Sequence, residues 1–269
     1  MPSPPPQAPR LRPLPPVIVE ESPDWIVVDK PAHMAAHPSK PEDSRTLWHY
    51  LQDLLAFECV TGGQISIITR LDRETSGLTL VAKNRPAARS LCRQMEAHHI
   101  QKTYLALVFG WPPEDAWTVD APLCRQGLHT PSAIWLKQAI HPSGSPAQTR
   151  FRVLARLPHP DVPGGRFSLV RAFPKTGRMH QIRVHLQASG HPLVGDKIYG
   201  PDERCYLEFI DTGWTPSLQQ RLLLPRHALH AEHLLLTESG LHWSAPLPAD
   251  FRALTGPALD YPSPHAEAP

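Results

Sequence analysis

Ile65-Ser66-Ile67-Ile68-Thr69-Arg70-Leu71-Asp72-Arg73-Glu74-Thr75-Ser76-Gly77-Leu78-Thr79-Leu80-Val81 is the stretch on which the reading of this chain turns. The runs Ile65 to Thr69 and Leu78 to Val81 each predict a strand bounded by polar residues. The octet between them is therefore a connection between two sheet elements, and it holds the carboxylate of Asp72 flanked by Arg70 and Arg73. A loop carried by two strands keeps a reactive group still. A guanidinium beside a carboxylate favours its charged form, which a nucleophile or base requires. Taken alone, the cluster fits a surface turn with a local ion pair equally well, because structural ion-pair networks perturb titration too.

A second segment, Phe173 to Leu186 (FPKTGRMHQIRVHL), tips the balance. A capping residue and a glycine predict a helix of about three turns that starts at Thr176 or Gly177 and stops at Gly190, before Pro192. On it His180, Arg183 and Gln187 stand at i, i+3 and i+7 and share one polar face. A solvated face would usually carry Lys and Glu. This one suits a phosphate, a base edge or the Asp72 carboxylate.

Together these segments resemble the RluA-type RNA pseudouridine synthases. That family's pattern is an HRLDRxTSG loop, a KxYLA strand and a TGRxHQIRxHL helix followed by GHPxxGDxxYG. Here the counterparts are Thr69 to Gly77, Lys102 to Ala106 (KTYLA), Thr176 to Leu186, and Gly190 to Gly200 (GHPLVGDKIYG). Asp24 to Pro31 (DWIVVDKP) and Leu229-His230-Ala231 also fit, so the likeness runs from about residue 17 to about residue 252. There are departures. Thr69 stands where the family usually has His, Met179 where it usually has Thr, and Ala32 to Pro38 (AHMAAHP) replaces a segment ending in Val-His-Pro. These bear on loop conformation and substrate choice, not on the reaction.

The resemblance implies an α+β catalytic domain with a mixed, largely antiparallel central sheet and a central cleft. It implies an isomerase that detaches uracil from ribose at N1 and reattaches it through C5, with no cofactor and no metal. Asp72 would be the catalytic carboxylate. Tyr104 would stack on the flipped uracil and relay a proton. Arg183 would pair with the catalytic carboxylate and hold it charged and oriented. Because a stacked uridine is inaccessible, it must be extruded from the RNA. Arg70 is placed either to fill the vacated stack or to hold a phosphate, and Arg73, Lys175, Arg178, His180 and Gln181 complete the expected RNA contacts. The expected partner is ribosomal RNA, transfer RNA or both, bound by a monomer in the cytoplasm with no membrane contact. The rival reading is an RNA-binding or chaperoning protein that kept the scaffold and lost the chemistry. A hydrolytic nuclease ranks third, since no carboxylate cluster for metal ions is evident.

Bulk composition permits this without requiring it. The net charge of +2 falls short of a strongly basic nucleic-acid binder, yet 20 Arg stand against 7 Lys. Arginine suits bidentate phosphate contacts and base stacking, although GC-rich codon usage enriches it as well. The 269 residues suffice for a sizeable core, and no apolar run reaches membrane-spanning length. Cys59, Cys92, Cys124 and Cys205 are scattered without a CxxC pair, which indicates neither a zinc site nor a disulfide framework. His227, His230 and His233 recur every third residue, a spacing that does not converge on a metal. His180 and His185 are five apart, not the four of a helical zinc pair.

Along the chain, the Pro-rich residues 1–16 and residues 257–269 read as flexible tails around one catalytic domain over 17–256. Predicted strands are Val17 to Val19, Trp25 to Val28, Lys102 to Phe109, Gln148 to Leu154, Arg166 to Phe173, Leu234 to Leu236 and Leu241 to Trp243. Predicted helices are Ser44 to Phe57, capped by Ser44 with Leu47, Leu51 and Leu54 inward, and Pro86 to His98 with Leu91, Cys92 and Met95 inward. The irregular alternation favours a mixed sheet over a doubly wound one.

Overall fold

The computed structural model describes residues 14–39, 45–160, 163–256 and 259–262. In chain order the strands are β1 (Val17–Glu21), β2 (Trp25–Lys30), β3 (Ser66–Ile67), β4 (Ser76–Ala82), β5 (Ile100–Phe109), β6 (Ala116–Asp120), β7 (Leu123–Arg125), β8 (Gln138–Ile140), β9 (Gln148–Pro158), β10 (Arg166–Pro174), β11 (Leu229–Leu236) and β12 (His242–Ser244). The helices are α1 (Leu47–Leu54), α2 (Ala56–Val60), α3 (Arg85–Glu96), α4 (Gln181–Ala188), α5 (Arg204–Thr212), α6 (Pro216–Leu222) and α7 (Ala249–Thr255). The class is α+β with largely antiparallel pairing, as the sequence predicts. The chain divides into two compact units, one containing Asp72 and the other Arg183.

In the Asp72 unit the strand order is β1-β2-β4-β11-β5, with β3 added to β4 and β12 to β11. Neighbours β1·β2, β2·β4, β3·β4 and β11·β12 run antiparallel, whereas β4·β11 is parallel. Every residue of β4 is buried. Its alternating side chains explain how: Leu78 and Leu80 pack with Ala88 and Leu91 of α3, while Val81 packs with Leu47 and Leu51 of α1. The strand that carries the Asp72 loop is thus covered on both faces.

Local chemistry moved several boundaries. The strand predicted over Ile65 to Thr69 shrinks to Ser66–Ile67, because the Ile68 and Thr69 N–H groups both turn to the Leu80 carbonyl, at 2.8 and 3.3 Å. Helix α1 is capped by Thr46, whose hydroxyl accepts from His49 N–H; the predicted cap Ser44 lies outside the described residues. The backbone breaks at Leu55, so Leu55 enters the core (2% exposed) and Leu54 faces solvent (38% exposed). In α3, capped by Asn84, the inward pair is Ala88 and Leu91. Cys92, expected inward, lies a further 100° round the helix and is exposed.

In the Arg183 unit the order is β5-β10-β9-β6, and β7–β8 forms a separate antiparallel hairpin. Val184 of α4 packs with Leu123, Ile134, Ala147, Ile198 and Tyr199. Helices α5 and α6 enclose a small core of Cys205, Leu218 and Leu222. The predicted start of α4 was wrong by a turn. The Thr176 hydroxyl and the Arg178 N–H both donate to Gln181 Oε1, folding Thr176 to His180 into a loop. His180 sits in the left-handed region at φ 58° and the helix begins at Gln181. Hence no shared polar face exists: Arg183 is buried, Gln187 is exposed and His180 precedes the helix.

Candidate active site

The Asp72 loop is fastened at both ends. Before it, buried Thr69 accepts the Leu80 N–H on its hydroxyl at 2.8 Å, a structural use for the residue that departs from the family pattern. Within it, Leu71 packs inward and Thr75 N–H donates to the Asp72 carbonyl at 3.2 Å, closing a turn. After it, Ser76 Oγ and His230 Nδ1 lie 2.9 Å apart where β4 meets β11. Gly77 has φ +111°, and a Cβ there would stand 2.3 Å from the Ala231 carbonyl oxygen, so only glycine allows the parallel strands to approach.

Beneath the loop lies Lys30, fully buried and paired in register with Gly77. Its ammonium donates to the carbonyls of Pro31 and Met34 at 2.9 Å each, and to that of Arg73 at 3.5 Å. Arg73 Nε in turn donates to the His33 carbonyl at 3.4 Å, linking the segment after β2 to the Asp72 loop. Arg70 is exposed, and its charge adds to burial in lowering the pKa of His37. Burial raises the pKa of the neighbouring Asp29.

Asp72 is half-buried at the loop's centre, open enough to meet a substrate. Tyr104 of β5 is buried close enough to feel its charge. Burial first, and then the Asp72 carboxylate, push the Tyr104 phenol well above its ordinary pKa. The hydroxyl is therefore protonated at neutral pH and available as a donor. The structure thus brings Asp72 and Tyr104 together within one unit.

In the other unit, Arg183 is buried and grips Asp196, Nε to Oδ2 at 2.7 Å and Nη2 to Oδ1 at 3.0 Å. Its guanidinium carbon stands 4.9 Å from the centre of the Tyr199 ring. Asp196 Oδ1 also accepts the Ile198 and Tyr199 N–H groups. Burial alone would raise the Asp196 pKa; the Arg183 charge and hydrogen bonds overrule it and hold the carboxyl well below the usual range. His227 beside them is kept neutral by burial and by the Arg183 charge. Asp196 lies inside the Gly190 to Gly200 motif, and nothing in the local sequence pattern marks it as the partner of Arg183.

The remaining expected contacts divide into two groups. Lys175 and Arg178 are exposed, and His180 is half-buried with Nδ1 2.8 Å from the Tyr199 hydroxyl. Gln181 is buried, and both ends of its amide serve the fold. Oε1 accepts from Thr176 and Arg178, and Nε2 donates to the Gln148 carbonyl and the Thr149 hydroxyl. His185, also buried, lies between Thr149 and the Ala121 carbonyl.

Known proteins resemble this chain over most of its length. The profile of the RNA pseudouridylate synthase family matches residues 24–188, a span that holds Asp72, Tyr104 and Arg183. An uncharacterised RNA pseudouridine synthase of Chloroflexus aurantiacus is 38% identical over 245 residues, 88% of this chain and 67% of that protein. The dual-specificity RNA pseudouridine synthase RluA of Vibrio vulnificus is 32% identical over 237 residues, 87% of this chain and 83% of its own length. Among solved structures, human RNA pseudouridylate synthase domain containing 1 superposes with a TM-score of 0.63 at 26% identity, covering 92% of this chain and 97% of the human one. A matched profile over most of the chain, relatives across nearly all of it and a shared fold lead to one conclusion: this chain belongs to the RNA pseudouridylate synthase family, of the RluA type.

Proposed function

We propose that this enzyme isomerises specific uridines of structured ribosomal RNA, transfer RNA or both, using Asp72 as its catalytic carboxylate and no cofactor. The observation that carries the reading is the pairing of a half-buried Asp72 with a buried, protonated Tyr104 inside the family's own motifs. An extruded uracil placed over the Tyr104 ring would present its glycosidic bond to the carboxylate, and the phenol would supply or relay the proton that moves between C5 and N1. Arg183 takes the catalytic supporting role given by the resemblance, its orientation fixed by Asp196. Arg70, Arg73, Lys175, Arg178 and His180 contact the RNA, most through phosphate. Gln181 positions the loop that bears Arg178 and His180.

Residues 17–256 act as one catalytic domain, working as a monomer in the cytoplasm. Four cysteines without a disulfide agree with a reducing compartment. The deciding experiment is Asp72→Ala with paired assays of RNA binding and pseudouridine formation. Retained binding with no product supports the assignment. Unaltered product formation refutes it, and an inactive wild-type chain that binds RNA would favour the idle-scaffold alternative. Mapping pseudouridines in cellular RNA with and without the protein identifies the substrate.

A further inference from the structure

We infer that Cys124, His129 and His141 form a site for a zinc-class divalent cation on the β7–β8 hairpin. One ligand atom from each of the three lies within 4.8 Å of the others. The backbone that brings them together is closely specified. Cys124 is the central residue of β7, opposite Ala139. Just beyond β8, the turn from His141 to Gly144 folds back on the same strand: His141 N–H donates to the Pro122 carbonyl, Gly144 N–H to the His141 carbonyl, and Leu123 and Ser145 exchange bonds of 2.9 and 2.8 Å. A Cβ on Gly144 would lie 2.5 Å from the Leu123 carbonyl carbon, so the close approach demands glycine. On the other side, Gln126 N–H donates to the Lys137 carbonyl, and the Gln126 carbonyl receives the N–H groups of His129 and Thr130. That turn returns His129 to the cluster.

The side chains are arranged for the task as well. Ser143 Oγ stands 2.8 Å from His141 Nδ1 and 3.2 Å from His129 Nε2, and the Ser143 N–H donates to His141 Nδ1 at 3.2 Å, so that nitrogen carries a lone pair. One hydroxyl thus touches a nitrogen of each ring and holds the two imidazoles side by side. The rings stack at 3.6 Å between centroids with 10° between their planes. Each lone pair lies in its own ring plane, and a shared ion therefore needs the rings to tilt toward one another. His129 is exposed and His141 half-buried, which leaves room for that rotation.

A thiolate with two neutral imidazoles is a donor set for Zn2+ rather than for Mg2+ or Ca2+, and three protein ligands leave a fourth position for water. Binding would close the base of the Gln126–Lys137 connection. That connection carries Trp135, 74% exposed, with the Arg125 guanidinium 3.7 Å from the centre of its ring. The proposal is independent of Asp72 and of uridine chemistry.

The test uses the full chain, stripped of metal with a chelator and titrated with Co2+ as the spectroscopic probe, then with Zn2+. The expected result is one equivalent of Co2+ bound with a thiolate-to-cobalt charge-transfer band and tetrahedral d–d absorption, both abolished by one equivalent of Zn2+. Cys124→Ser should remove the charge-transfer band, and His129→Ala and His141→Ala should each weaken binding at least about tenfold. Cys92→Ser, at an exposed cysteine far along the chain, should change nothing. A titration without the charge-transfer band, a band that survives Cys124→Ser, or equal binding by the double variant His129→Ala/His141→Ala overturns the inference.

Discussion

Arg183 and Asp196 are locked edge to edge in the protein interior, with both carboxylate oxygens engaged and both residues buried. A guanidinium held this way cannot swing, and the carboxylate that holds it is itself fixed by two backbone N–H groups. The motif Gly190 to Gly200 thereby does its work through Asp196, presenting the family's arginine in one orientation.

Breaking this pair from one side should be costly. Arg183→Met would leave the Asp196 charge buried and unmatched, a loss of about 3–5 kcal/mol in the usual range for such pairs. Urea unfolding of the variant checks this. An unchanged midpoint would mean that Asp196 finds its compensation elsewhere.

The same pair sets an acid limit. The folded-state pKa of Asp196 lies below its unfolded value of about 3.9, so its contribution is complete above that pH and disappears as pH falls toward the folded value. The wild type should therefore lose stability below about pH 4 more steeply than Asp196→Asn, a comparison read from urea midpoints across the pH range. Parallel curves would remove Asp196 from the account.

Tyr104 allows ring and hydroxyl to be separated. Because burial and the Asp72 charge keep the phenol protonated, Tyr104→Phe removes a donor without removing an anion. If the hydroxyl moves a proton in the reaction, kcat should fall by about 10²-fold or more while KM stays close to wild type. Tyr104→Ala should raise KM as well, through the lost stacking surface. Single-turnover assays with the mapped RNA distinguish the two, and an unaffected Phe variant would leave Tyr104 as a stacking platform alone.

The sequence showed the core of the fold where information is local. The apolar run Leu78 to Val81, the Lys102 to Phe109 strand and the helix beginning near Pro86 all have patterns confined to neighbouring residues. It failed where a distant partner decides the outcome. Helix α4 started late because the Gln181 side chain captured Thr176 and Arg178. Arg171, fully buried in β10, is matched by Glu232 and by the Pro262 carbonyl, partners that lie 61 and 91 residues away. Cys124, His129 and His141 follow no metal-ligand spacing, since it is the hairpin and the Gly144 turn that bring them together. Of the candidate site, Asp72 and Tyr104 are legible because short motifs carry them; the pairing of Asp196 with Arg183, 13 residues away, has no local signature.

Gly77 tests the sheet that carries the Asp72 loop. Gly77→Ala adds a Cβ 2.3 Å from the Ala231 carbonyl oxygen at a backbone angle of φ +111°. Strain and overpacking together predict a loss of about 2–5 kcal/mol. Differential scanning calorimetry reads this directly, and a variant as stable as wild type would show that β4 and β11 separate freely.

Lys175 is exposed at the end of β10, beside the loop that holds Arg178 and His180, and it is proposed to meet phosphate rather than a base. A phosphate contact has a definite signature. Lys175→Ala should weaken binding of cognate and unrelated RNAs by similar factors, and the slope of log K against log salt should become shallower by about 0.7–1. Fluorescence anisotropy over a salt series measures both quantities. A variant that lost affinity only for the cognate RNA, with the salt slope intact, would instead make Lys175 a reader of sequence or shape and shift the phosphate contacts to Arg70, Arg73 and Arg178.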